Sequence, residues 1–213
     1  MRRMIRGLSI AITLLSVIGI AHAENSSKVF MYVTDGSRDL ELMLTEEVGV
    51  MQRMLQEAGY TVDIATSDDR IMTAESATLT PTVNLADVNI DDYAGVILPC
   101  MAPAPGTAPP PAKVAEILEA AVARNKPIAA SRGSVVDLAK AGGIADREYA
   151  FASPVDTSER TEFAGGFFRG IGVVRDGNIS TAGICPLAAR SLGEEDGTVE
   201  LTQNFIDSLA DSV

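Results

Sequence analysis

Few residues in this chain carry side chains able to do chemistry, and their spacing narrows what that chemistry could be. Ser131 stands in Ala129-Ala130-Ser131-Arg132-Gly133-Ser134, where an apolar strand signal runs into a helix signal. Small residues permit a tight strand-to-helix turn there, which pushes a hydroxyl out of the backbone path and aims nearby N–H groups at one point. That is the geometry of a nucleophile elbow with Ser131 as its candidate nucleophile. The competing reading is a helix cap, in which the same hydroxyl satisfies a free N–H of the following helix. Arg132 and Gly133 lie at that helix start, where partial positive charge favours an anion, although Arg132 could equally pair with a surface carboxylate.

The chain holds two thiols, Cys100 and Cys185. Each follows a strand signal, Leu98-Pro99 and Thr181-Ala182-Gly183, and in open α/β sheets the ligand site lies outside the carboxyl ends of the strands. Cys100, Met101, Gly183 and Cys185 therefore join Arg132 and Gly133 as candidate ligand-binding residues. The two thiols either pair as a disulfide or face one pocket, or they are separate buried groups acting as small apolar side chains.

The single histidine is His22. It sits in a leader: Arg2, Arg3 and Arg6, an apolar run from Leu8 to Ile20, then Ala21-His22-Ala23 before a polar stretch. This pattern predicts a signal peptide over residues 1–23, cleaved after Ala23, and hence a periplasmic or secreted domain over 24–213. The run is shorter than the roughly 20 residues a spanning helix needs. Cleavage removes the only imidazole, so Ser-His-Asp and Cys-His catalysis are unavailable to the mature chain. No metal is expected, because the two cysteines lack the paired spacing of a zinc site and no EF-hand spacing occurs. No G-x-G-x-x-G and no P-loop occurs either, so no cofactor is expected. With 17 Lys and Arg against 29 Asp and Glu the formal charge is −12, and losing the three leader arginines takes it to −15. Such a surface excludes nucleic acid and anionic lipid as partners, and the mature domain needs no membrane.

The elements that must position these residues alternate. Lys28 to Thr34 reads as a strand, Val48, Met51, Leu55 and Ala58 mark a helix from about Thr45 to Gly59, and Thr61 to Thr66 is a second strand. Residues 67–92 are polar, with Met72 and Val83 as weak strand centres. Tyr93 to Pro99 is a continuous apolar run of the kind buried on both faces of a parallel sheet. Six of the ten prolines fall between Pro99 and Pro111, which predicts a stiff surface loop. A helix over Lys113 to Arg124, a strand at Pro127 to Ala130 and a helix from Val135 to Ala141 follow. Ile171 to Arg175 and Asn178 to Thr181 form a hairpin around Asp176-Gly177, and Val199 to Leu209 closes the chain as a helix. Gly165-Gly166-Phe167-Phe168 is an apolar patch in a polar insert, Ala150 to Arg169, readable as a lid, a dimer contact or a buried turn. The pattern predicts a three-layer α/β/α sandwich on a mainly parallel sheet.

The ordered set of segments resembles the DJ-1/PfpI family of the class I glutamine amidotransferase-like superfamily. It comprises Lys28 to Thr34, Gln56-Glu57-Ala58-Gly59-Tyr60, Asp92 to Pro99, Lys126 to Ala130 with its elbow, and Val174 to Gly183. The resemblance implies a flavodoxin-like sheet, a small-molecule ligand and a homodimer. It also implies a Glu on the first helix, bonded to the elbow residue, which falls at Glu47 with Glu46 as the alternative register. Five positions depart from the family pattern. Ser131 and Arg132 stand where Cys and His are usual, Cys100 and Met101 replace the Gly pair of the oxyanion hole, and Arg190 stands where one branch carries Asp. Three readings follow: a domain binding a small, anionic molecule at the elbow pocket without Cys-His catalysis; a serine-dependent hydrolase or hydratase using Ser131 with Glu47; and a periplasmic thiol-based stress protein using Cys100 and Cys185.

Overall fold

The computed structural model describes residues 27–153 and 155–212, so the leader expected at 1–23 lies outside the described residues. In strand β1 (Lys28–Tyr32), alternate side chains pass to opposite faces and both sets are buried: Val29 and Met31 on one side, Phe30 and Tyr32 on the other. A strand apolar on both faces needs cover on both faces, which is what a parallel sheet between helix layers supplies. β5 (Gly95–Leu98), β6 (Ile128–Ser131) and β10 (Ile179–Ala182) are buried throughout, β2 (Thr61–Ala65) is an edge strand with Thr61 exposed and Asp63 half-buried, and with β1 and β9 (Val173–Asp176) they form one six-stranded sheet ordered β2-β1-β5-β6-β10-β9. All neighbours pair in parallel except β9 with β10, the hairpin expected around Asp176-Gly177. The parallel strands thus follow the flavodoxin-like order, whose crevice opens where β1 meets β5.

One face carries Met43, Val48, Met51 and Leu55 of the first helix and Leu201, Phe205 and Leu209 of α5 (Thr198–Asp211). The other carries Val114, Ile117, Leu118 and Ala121 of α2 (Ala112–Ala123), with Val135 and Leu138 of α3 (Val135–Lys140). Gly95 allows α5 to close on the sheet: a Cβ there would lie 2.7 Å from the Pro127 carbonyl oxygen and 2.9 Å from Leu209 Cδ2.

Several expectations change. The first helix, α1, starts at Leu40 rather than near Thr45, because Asp39 caps it by accepting from the Leu42 N–H at 3.1 Å. It runs as Leu40–Leu42, a π-helical stretch Met43–Val48, and Gly49–Glu57. Met72 does sit in a small hairpin, β3 (Met72–Thr73) with β4 (Thr78–Leu79), but Val83 is no strand centre; its N–H only tethers the chain to the Ile64 carbonyl. A further short helix, α4 (Pro186–Leu192), follows β10 directly. The insert after Ala150 returns to pair β8 (Phe167–Phe168) with β7 (Glu148–Tyr149), and its Phe163 is buried, stacked on Tyr149 at 5.1 Å. It is a packed aromatic annex, with Phe167 its exposed ring.

Phe205 is fully buried against β5, so Phe205→Ala should remove about 3–5 kcal/mol of stability. At this chain length that lowers Tm by roughly 10 °C; a shift under about 3 °C by differential scanning calorimetry would contradict the packing described.

Candidate functional site

Glu47 is the organising side chain. Within the π-helical stretch the Gly49 N–H reaches back five residues to the Leu44 carbonyl, which widens the turn and re-aims the residues on it. Gly49 is suited to that closure, since a Cβ there would stand 2.9 Å from the Leu44 oxygen. Glu47 consequently points into the protein and is 0% exposed, while Glu46 turns outward to pair with Arg190 at 2.6 Å. This settles the register between the two glutamates.

The Glu47 carboxyl gathers three donors. Oε1 accepts from Ser131 Oγ at 2.7 Å, Oε2 accepts from the Met101 N–H at 3.0 Å, and the Cys100 N–H also bonds to it. Those bonds favour the charged form, but burial and the neighbouring Cys100 outweigh them and push its pKa up to about 8. Glu47 is therefore mostly a neutral acid at pH 7.

The elbow differs from expectation by one residue. Ser131 is the last residue of β6, extended at φ −102°, 1% exposed, and its hydroxyl goes to Glu47 rather than capping any helical N–H. The residue on the sharp turn is Arg132, at φ +45°, and a 3₁₀ turn Arg132–Ser134 leads into α3. A nucleophile elbow presents the side chain of that left-handed residue, and here it is a guanidinium. Its Nε is buried without a partner, so the alternative of a surface ion pair is not what the described residues display. The helix beyond is only six residues long and offers no extended dipole for an anion.

Beside the elbow, Met101 and Ala102 follow β5 with φ of +53° and +42°, unusual for residues with side chains. Their N–H groups are spent inside the protein, Met101 on Glu47 and Ala102 on Cys100 Sγ at 3.3 Å. The pair expected at the oxyanion hole is Cys100 and Met101, and both of their N–H groups bond Glu47, so neither is left free for an oxyanion. Met101's side chain is fully buried.

Cys100 and Cys185 are both buried as free thiols and hydrogen-bonded to each other. That bond raises the Cys100 pKa, with burial adding to it, and the same bond lowers that of Cys185 against the effect of burial. Gly183 is not brought to this group: its N–H goes to the Gly172 carbonyl at 2.9 Å, and a Cβ would meet Ile171 backbone at 2.5 Å.

Two cavities open at the crevice between β1 and β5. The one of about 200 Å³ is lined by Thr34, Cys100, Gly133, Ser134, Asp137 and the proline loop from Pro103 to Pro110. The other, about 360 Å³, is lined by Asp35, Gly36, Ser67, Asp68, Arg70 and the far side of that loop, with Thr107, Ala108 and Pro109 common to both. The stiff loop read from six prolines is thus a shared wall. Of the expected ligand residues, Cys100 and Gly133 line the smaller cavity, whereas Arg132, Met101 and Cys185 do not. Thr34 and Asp137 were missed from sequence; Asp137 lies one helical turn beyond Gly133, the signal that might have found it.

An open, mainly parallel sheet ordered in this way, with an elbow and cavities at the carboxyl ends of its strands, defines a flavodoxin-like α/β domain. Within that class the chain belongs to the DJ-1/PfpI family, whose sequence profile matches residues 27–189. Solved structures agree. A ThiJ/PfpI domain protein from Brachyspira murdochii superposes with a TM-score of 0.67 at 12% identity, covering 88% of this chain and 98% of that one. DJ-1beta of Drosophila melanogaster gives 0.56 at 21% identity, covering 87% and 98%. The Rapid Encystment Protein of 24 kDa from Francisella tularensis gives 0.59 at 17%, covering 85% and 98%. At such identities the likeness is one of fold. No curated protein matches the chain.

Glu47 binds its proton more tightly folded than unfolded. Its stabilisation is complete below pH 4.5 and is lost as pH rises through about 8, by up to about 1.4 kcal/mol per pH unit. Glu47→Gln, which keeps the neutral shape, should flatten stability between pH 5 and 8. Denaturant titrations with identical pH slopes in the two proteins would refute the neutral acid.

Proposed function

We propose that this chain is an exported DJ-1/PfpI-family domain that binds a small molecule in the cavity beside the elbow and presents no nucleophile on the elbow itself. The observation that carries this reading is Arg132 at the left-handed turn position, adjoining a preformed cavity at the crevice. The Met101 and Ala102 N–H groups consumed internally support it further. Export rests on the leader pattern of residues 1–23.

The cavity lining refines the ligand. At about 200 Å³ it is below the roughly 300–1,000 Å³ typical of drug-sized ligands. It holds three hydroxyls, Thr34, Thr107 and Ser134, one carboxyl, Asp137, raised in pKa by burial, the Cys100 thiol, and otherwise small apolar groups. Among the described residues no cation lines it, so a small neutral polar molecule fits better than the anion suggested by Arg132 in sequence.

A serine-dependent enzyme has the 2.7 Å Ser131 to Glu47 bond in its favour. Against it stand a hydroxyl that is 1% exposed and a base that is already protonated at neutral pH. A serine-directed fluorophosphonate should leave Ser131 unlabelled.

Gly133 has room for a side chain, its built Cβ lying 4.0 Å from Cys100 Sγ, so Gly133→Val should fill the cavity without unfolding the domain. In ligand-observed NMR with small alcohols, amides and carboxylates, we expect neutral binders whose affinity drops at least about tenfold in Gly133→Val. Binding confined to carboxylates, or unchanged in the variant, would overturn the assignment. The protein recovered from a periplasmic extract should begin at Glu24.

A further inference from the structure

Ligand binding in the cavity leaves the two thiols without a task, yet their surroundings are not those of inert core sulfurs. A structural thiol in an apolar core packs like a methyl group, whereas reactive ones sit among donors and positive charge. Cys100 Sγ accepts from the Ala102 N–H at 3.3 Å and from the Gly133 N–H. Cys185 Sγ accepts from the Ala188 N–H and from the Cys100 thiol, and the Arg132 cation acts on it. Glu47 fixes the backbone of Cys100 and Met101 from the other side. The two sulfurs also differ in access, since Cys100 lines the 200 Å³ cavity while Cys185 is fully buried and does not.

We propose that Cys100 and Cys185 form a working dithiol that exchanges with small disulfides entering the cavity, Cys100 reacting first and Cys185 resolving. In the reacting form the pair has lost one of its two protons, and the other sits on Cys100 in the hydrogen bond between the two sulfurs. The proton passes to Cys185, and the Cys100 thiolate attacks one sulfur of a disulfide RSSR. Its S–S bond breaks, a Cys100–S–S–R bond forms and RS⁻ leaves. RS⁻ takes the proton from Cys185 and departs as RSH. The Cys185 thiolate then attacks Cys100 Sγ, expelling a second RS⁻. Two electrons pass from the two cysteines to RSSR, and the protein is left with a Cys100–Cys185 disulfide. Arg132 is a positioning residue here: it offsets the charge of Cys185 and so explains a guanidinium on an elbow with no nucleophile.

The test uses the reduced mature protein and bis(2-hydroxyethyl) disulfide, followed by alkylation in denaturant and intact mass measurement. Wild type should lose both alkylation sites together and retain no adduct. Cys185→Ala should stop with one hydroxyethylthio group on Cys100, and Cys100→Ala should take up none while folded. If either variant fails to unfold cooperatively, acid quenching of wild type at short times reads the same order, with an adduct on Cys100 preceding the disulfide. Two alkylatable thiols surviving in wild type would overturn the proposal, as would a first adduct on Cys185. Arg132→Gln should move the pH midpoint of the reaction upward; an unchanged midpoint would remove Arg132 from it.

Discussion

The carboxyl edge of this sheet is held together by one buried carboxyl group. Glu47 comes from the first helix, yet it bonds the final residue of β6 and the backbone that follows β5. Three segments distant in sequence are thereby set in register around a single side chain. Such a group is tolerable in a dry interior because it can be neutral: taking its proton removes the charge whose desolvation would be costly, and its O–H can then donate to the Ser131 hydroxyl while the backbone N–H groups still donate to its other oxygen. The π-turn that aims it inward, and the glycine that lets that turn close, are consequences of the same requirement.

Around this latch the backbone is under strain. Met101, Ala102 and Arg132 all adopt positive φ without being glycine, and all three lie within the Glu47 and Cys100 network. Residues in sparsely populated conformations persist only when their neighbours over-determine them, and they gather at functional edges. Here the strain has two products. It turns N–H groups inward onto a carboxyl and a sulfur, and it projects an arginine from the elbow. An edge built for nucleophilic chemistry would aim those N–H groups at a reacting oxygen instead. This edge stabilises its own buried groups.

Most of the framework was legible from residues alone. Continuous apolar runs marked the central strands, because burial on both faces leaves no room for alternation, and Asp176-Gly177 marked the one hairpin. Other elements escaped. The start of the first helix rested on a single cap, Asp39, ahead of the periodic pattern, and α4 was hidden by a Cys-Pro junction that reads as a turn. At the site, Glu47 was reached only by resemblance, since nothing local says which of the four glutamates of the first helix faces inward. The shift from Ser131 to Arg132 has the same origin: composition says a turn is tight, but not which residue takes the left-handed conformation.

By itself the sequence determined the order of elements, the two thiols and the confinement of the only histidine to the leader pattern. These follow from composition and short-range periodicity, which burial of each element then enforces. Tertiary structure decided which elbow residue points outward, that Glu47 carries a proton at pH 7, and that Cys100 and Cys185, 85 positions apart, meet sulfur to sulfur. Each of those depends on desolvation and contact between segments far apart in the chain, and none is encoded in any local stretch of residues.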